Sequence, residues 1–227
     1  MGSEQFERHI TGRILNIDLC FILESEISMR NCKSKLDVGF IIDSSGSARN
    51  NYDNEKFLVK ILAERLGLGL AEQSTRCGVI TFSYHAKVEI KLRDHNDTTT
   101  FYHAVDKIPY MGSTTRIDKA LRAAQKELFT SQNGGRKDTA KFLVLFTDGP
   151  QSKTDGAEDP VRIANELRSD GITILVIGWG SNVNSRDLLR IAGGDESHMI
   201  RVTSFIDDLY SELFIKKVVE ISCNIGK

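Results

Sequence analysis

Val38-Gly39-Phe40-Ile41-Ile42-Asp43-Ser44-Ser45-Gly46-Ser47 is the stretch from which the rest of the chain can be read. Val38 to Ile42 is a short apolar run of the kind that forms a buried strand, and it ends directly in a carboxylate followed by hydroxyls at alternate positions. In an extended-to-turn backbone, residues i, i+2 and i+4 can face one side, and Gly46 lets the chain curl between them without a Cβ clash. Asp43, Ser45 and Ser47 can then converge on one point. Three hard oxygen donors suit Mg²⁺, which prefers near-octahedral oxygen geometry, better than zinc, which favours nitrogen and sulfur. Asp, Ser and Gly also cluster in ordinary loops after strands, so the triplet needs support from elsewhere in the chain.

Two later segments supply it. Phe142 to Thr147 is a second apolar strand, and Asp148-Gly149 ends it as Asp43 ends the first. That placement is expected if two parallel strands deliver carboxylates to one edge of a sheet. Between them, Gly112-Ser113-Thr114-Thr115-Arg116 precedes a helical pattern with Ile117, Ala120, Leu121, Ala124 and Leu128 on one face. Aspartate at a strand end, Ser/Thr before a helix and Asp-Gly at a later strand end, in that order, is similar to the metal-ion-dependent adhesion site of the von Willebrand factor A domain family. The likeness runs over residues 36 to 222.

The resemblance implies a set of roles. Asp43, Ser45 and Ser47 match the family's first motif, Thr115 its single threonine and Asp148 its second aspartate. In the family these hold Mg²⁺ or Mn²⁺ and leave one metal position for an acidic side chain of a partner. The family usually carries T-x-T before the helix; here the triplet is Thr115-Arg116-Ile117, and Thr114 is the alternative ligand or else an ordinary cap or turn hydroxyl. Tyr110, Arg116 and Gln151 lie on the surrounding loops and are candidate ligand-specificity residues, each equally readable as a solvated loop residue. The implied function is non-enzymatic adhesion to an extracellular-matrix or cell-surface protein such as collagen, from an extracellular location and as part of a larger multidomain protein. The alternative is an intracellular scaffold subunit of a multiprotein complex. Matrix-type members link the cysteines that flank the domain, which implies a Cys32–Cys223 disulfide, worth roughly 4–5 kcal/mol in the chain-entropy model; free thiols would favour the intracellular alternative. Asn96-Asp97-Thr98 is a glycosylation sequon compatible with secretion. The expected organisation is an extension over 1–31, one A-type domain over 32–223 and a tail over 224–227.

The periodicities alternate between strand and helix. Strands are expected over 36–42, 77–82, 87–92, 142–147, 172–178 and 198–202. Helices are expected over 52–68, 98–107, 117–128, 160–169, 185–192 and 205–219. In the first helix Phe57, Leu58, Ile61, Leu62 and Leu66 form the apolar stripe. The last carries Ile206, Leu209, Tyr210 and Leu213 on one face, after a capping-box-like Ser204 and Asp207. Integrin-type relatives slide this helix when the metal site rearranges. The expected fold is α/β and doubly wound: a mostly parallel central sheet with one antiparallel edge strand, and helices on both faces.

Other function classes lack their signatures. Lys+Arg 30 against Asp+Glu 31 leaves a net charge of −1, so nothing points to nucleic acid. No apolar run approaches the roughly 18 residues of a membrane span. Gly67 and Gly69 follow the first helix, not the first strand, which excludes a dinucleotide fingerprint. Ser45 lacks the leading glycine of a nucleophile elbow, and His9, His85, His95, His103 and His198 have no zinc-like or triad-like spacing. Cys77 lies within a strand and reads as a small buried hydrophobe, while Cys20 has no assignment. Arg13 to Glu24 is apolar but interrupted by Asp18 and has no small-residue cleavage site, so it does not read as a signal peptide.

Overall fold

The strands β1 (Leu36–Asp43), β2 (Arg76–Phe82), β3 (Ala86–Ile90), β4 (Ala140–Thr147), β5 (Ile172–Trp179) and β6 (Met199–Val202) build one sheet in the spatial order β3-β2-β1-β4-β5-β6. All pairings are parallel except β2 with β3, the antiparallel hairpin expected at one edge. The structure, a computed structural model, describes residues 35–180, 183–202 and 212–225. Cys20, Cys32, the 1–31 extension and the start of the last helix, with Ser204, Ile206, Asp207, Leu209 and Tyr210, lie outside the described residues, as does the Leu213 side chain.

The helices are α1 (Tyr52–Arg65), α2 (Thr98–Asp106), α3 (Ile117–Ala123), α4 (Pro160–Ser169), α5 (Ser185–Ile191) and α6 (Glu212–Asn224). Local chemistry sets several of their ends. Asp97 accepts from the Thr100 N–H at the start of α2, and Asp159 caps α4, where Pro160 fills the first helical position. The central strands are apolar almost throughout because both faces are covered. Ile41, Leu143, Leu145, Ile174 and Val176 share a core with the helices α3, α4 and α5. Strand alternation turns Phe40, Ile42, Phe142, Val144, Phe146 and Ile177 to the opposite face, where α1 packs on β1 and α6 on α1. Among the described residues no helix is long and apolar enough to cross a membrane.

Two expectations need correction. The buried residues of α1 are Tyr52, Glu55, Lys56, Leu58, Val59, Leu62 and Ala63, whereas Phe57 is 44 % exposed and Ile61 half-buried. The true stripe is rotated and carries a glutamate in its first turn. The third helix does not run as regular α to Leu128 but passes into a π turn over Ala124–Leu128. Leu128 sits over Gly39 and Gly78, which pair across β1 and β2. A Cβ on Gly78 would lie 2.5 Å from Leu128 Cδ1 and 3.0 Å from the Ile90 carbonyl oxygen. Gly78→Ala should therefore cost about 1–3 kcal/mol by overpacking, more than the roughly 0.5–1 kcal/mol that alanine gains over glycine in a strand. The check is the urea midpoint, which should fall; a rise would refute this account of the packing.

Candidate metal centre

The chain moves outward from β1 through β2 to β3, then returns to β4 and moves the other way. The order therefore reverses between β1 and β4, and such switch points are where open α/β sheets bind ligands. Ile41 pairs with Leu145, so Asp43 and Thr147 end their strands at the same level. Asp43 and Asp148 thus leave the sheet at one place, as the strand-end reading expected.

Hydrogen bonds join the residues there. Asp43 Oδ1 accepts the Ser45 N–H at 2.9 Å, and its Oδ2 accepts the Thr147 hydroxyl at 2.7 Å. Ser45 Oγ lies 3.3 Å from Ser47 Oγ, and Ser47 Oγ donates to Asp148 Oδ1 at 2.9 Å. Asp43 and Ser45 are fully buried, Asp148 and Thr115 are each 7 % exposed, and Ser47 faces solvent. The set thus rises from the sheet edge to the surface. Burial pushes the Asp43 carboxyl up to about 6, against the bonds from Ser45 and Thr147, and the nearby Asp148 charge adds to the rise. Burial also raises Asp148. Among the described residues no basic side chain bonds either carboxylate.

The third segment of the site is the 110–116 loop. Met111 N–H donates to Ser44 Oγ, Gly112 N–H to the Ser44 carbonyl and Gly46 N–H to the Ser113 carbonyl. Ser113 has φ +87°, a left-handed backbone rare for a residue with a Cβ. The Thr115 backbone makes two bonds with Ser152: its N–H donates to the side-chain Oγ at 3.0 Å and its carbonyl accepts the Ser152 N–H at 2.8 Å. The Thr115 hydroxyl makes no hydrogen bond among the described residues, and the Thr114 hydroxyl is buried without a partner.

A family model for the von Willebrand factor type A domain matches residues 37–212. The chain belongs to that family. Similar proteins include von Willebrand factor A domain-containing protein 2 of Xenopus laevis, 29 % identical over 86 % of this chain and 24 % of that protein. The collagen alpha-5(VI) chain of Mus musculus is 31 % identical over 84 % of this chain and 7 % of its own length. Matrilin-3 of Gallus gallus is 32 % identical over 66 % of this chain and 32 % of its own. This A domain therefore spans less than a third of these relatives. Among solved structures, proximal thread matrix protein 1 from the mussel byssus, with a zinc-occupied MIDAS motif, superposes with a TM-score of 0.73 at 27 % identity, covering 85 % of this chain and 46 % of that one.

The remaining sequence candidates fall in different surroundings. Tyr110 is half-buried; its hydroxyl donates to the Ser45 carbonyl at 2.7 Å, and its ring lies 5.1 Å from the Arg49 guanidinium. Arg116 was expected at the ligand surface but is 2 % exposed. Its guanidinium grips Asp118 at 2.8 and 2.7 Å and also reaches Thr154 Oγ1 and the Gly156 carbonyl. Gln151 takes the Asp118 N–H on Oε1 and gives its own amide to Asp118 Oδ1. Arg116 and Gln151 thus fasten the loop after Asp148 to the start of α3. Asn96 is exposed just before α2, and Cys77 is a free buried thiol. Sequence reasoning missed Glu55, Thr147, Asp118 and Trp179.

Proposed function

We propose that this A domain is a divalent-cation-dependent adhesion module in which Asp43, Ser45, Ser47, Thr115 and Asp148 hold Mg²⁺ or Mn²⁺. The observation that carries the reading is the hydrogen-bonded line from Asp43 through Ser45 and Ser47 to Asp148, two carboxylates raised by burial with no basic partner among the described residues. Two carboxylates and several hydroxyls fit a hard cation better than a soft one. A bound cation would supply a positive position for an acidic side chain of the partner. Asp43, fully buried, would hold the cation from the protein side, and Ser47, which faces solvent, and Asp148 would hold it from the solvent side. No catalytic group is assigned, and the domain is read as binding, not as converting, its partner.

Kinship with collagen VI chains, a matrilin and a thread matrix protein supports a matrix or cell-surface partner such as collagen, an extracellular location and a place in a larger protein. The Cys32–Cys223 bridge and a glycan on Asn96 belong to the same reading and are open to non-reducing peptide mapping of the secreted protein. The functional test is capture of the chain on immobilised matrix proteins in Mg²⁺ and again in EDTA. Capture should be lost in EDTA. Equal capture in both buffers would move recognition to another face of the domain.

A further inference from the structure

Glu55 lies on the sheet-facing side of α1 and is fully buried, with no Lys, Arg or His bonded to it among the described residues. Its two oxygens serve two different strands. Oε2 accepts the backbone N–H of Asp43 at 3.0 Å, and Oε1 accepts the indole N–H of Trp179 at 2.8 Å. Asp43 ends β1 and Trp179 ends β5, both at the edge of the sheet where the metal centre lies. The other buried residues of the helix are Tyr52, Lys56, Leu58, Val59, Leu62 and Ala63, and the Lys56 ammonium is turned to Asp53 and the Asp106 carbonyl, not to Glu55. A residue whose only duty there was packing would be apolar, because a buried carboxylate is costly unless its charge is answered. Two N–H groups answer part of it, and a cation held by the side chain of Asp43, the residue whose own N–H Glu55 accepts, would answer more.

We propose that Glu55 is a positioning residue for the metal centre, fixing the backbone of Asp43 from behind and tying it to Trp179, so that cation binding is transmitted to the indole. This rests on the reading of Asp43 as a metal ligand. Partners that orient metal ligands from behind commonly govern affinity although they never touch the metal. Trp179 is the sole tryptophan of the chain and is 6 % exposed, so its emission reports one buried environment.

The full chain would be titrated with Mg²⁺ and followed both by calorimetry and by Trp179 emission. Wild type should show an emission change with the same midpoint as the binding heat. Glu55→Gln has one carbonyl oxygen for two N–H groups; it should weaken Mg²⁺ binding by about 10- to 100-fold and uncouple the emission from the heat. Trp179→Phe guards against a Glu55→Gln chain that fails to fold: it leaves the bond to Asp43 in place and should weaken Mg²⁺ binding by a smaller factor, read by calorimetry alone. Binding heat with a silent Trp179, or an affinity unchanged in every variant that folds, overturns the positioning role and leaves the metal reading standing. No binding heat in the wild-type chain overturns both.

Discussion

Asp43→Asn should abolish the stabilisation of the domain by Mg²⁺ while leaving the EDTA-treated protein no less stable than wild type. The two effects have opposite origins. Without a cation, the Asp43 carboxylate is fully buried and held at about 6 by that burial, so ionising it at neutral pH opposes folding by about 2–3 kcal/mol. An amide removes that charge and keeps most of the bonds. Its oxygen can still accept the Ser45 N–H, and its NH₂ can donate to Thr147 Oγ1, whose proton has the Gly149 carbonyl at 3.3 Å as an alternative acceptor. With cation present the balance reverses. At a free Mg²⁺ concentration of 100 times the dissociation constant, wild type should gain about 2.7 kcal/mol, or roughly 5–10 °C in Tm for a domain of this size. The variant should gain none of it. Paired thermal scans in Mg²⁺ and in EDTA read both effects, and a Mg²⁺ shift that survived in Asp43→Asn would remove Asp43 from the metal centre.

What could be read in advance divides along the range of the interactions. Asp43, Ser45, Ser47 and Asp148 were legible because each is tied to a strand end, and apolar runs such as Phe142 to Thr147 announce those ends locally. Helix α4 was placed residue for residue, since Asp159-Pro160 is a start signal written in two adjacent positions. Glu55 was not legible. Its partners are 12 and 124 residues away, and in the helix it occupies a place that a search for apolar periodicity passes over. Phe57 and Ile61 drew the stripe to the wrong side for the same reason. Arg116 failed differently: a loop arginine beside a metal motif suggests a solvent-facing ligand contact, because arginine is mostly exposed. Its partner Asp118 is only two residues on, a spacing at which helical side chains do not face each other. The pair meets because Arg116 precedes the helix, with φ −108° and ψ 72°, so its side chain can return to Asp118.

That pair carries the other large effect. Asp118 accepts two bonds from Arg116, one from Gln151 and one from the Glu158 N–H, while Arg116 also holds Thr154 and Gly156. Both side chains are almost wholly buried. Asp118→Ala would leave a guanidinium without its counter-charge in the interior, and breaking a buried pair from one side costs about 3–5 kcal/mol. For a domain of this size the expected fall in Tm is roughly 6–20 °C. Arg116→Met with Asp118→Leu should recover only part of the loss, because Gln151, Thr154 and the Glu158 amide would still lack partners; full recovery would mean that these loop bonds contribute nothing. The pair should also be visible in acid. Burial pushes the Asp118 carboxyl up, but the bonds from Arg116, Gln151 and the Glu158 N–H outweigh it and hold the group at about 2, below its ordinary 3.8. A lowered native value means that the unfolded chain binds the proton first. The stabilisation, about 2–3 kcal/mol, is therefore present above pH 4 and lost as the pH falls towards 2. In Asp118→Asn this dependence should disappear, so its unfolding free energy between pH 4 and 2 should decline less steeply than that of wild type. Equal slopes would mean that Asp118 titrates no differently in the folded domain than in the unfolded chain.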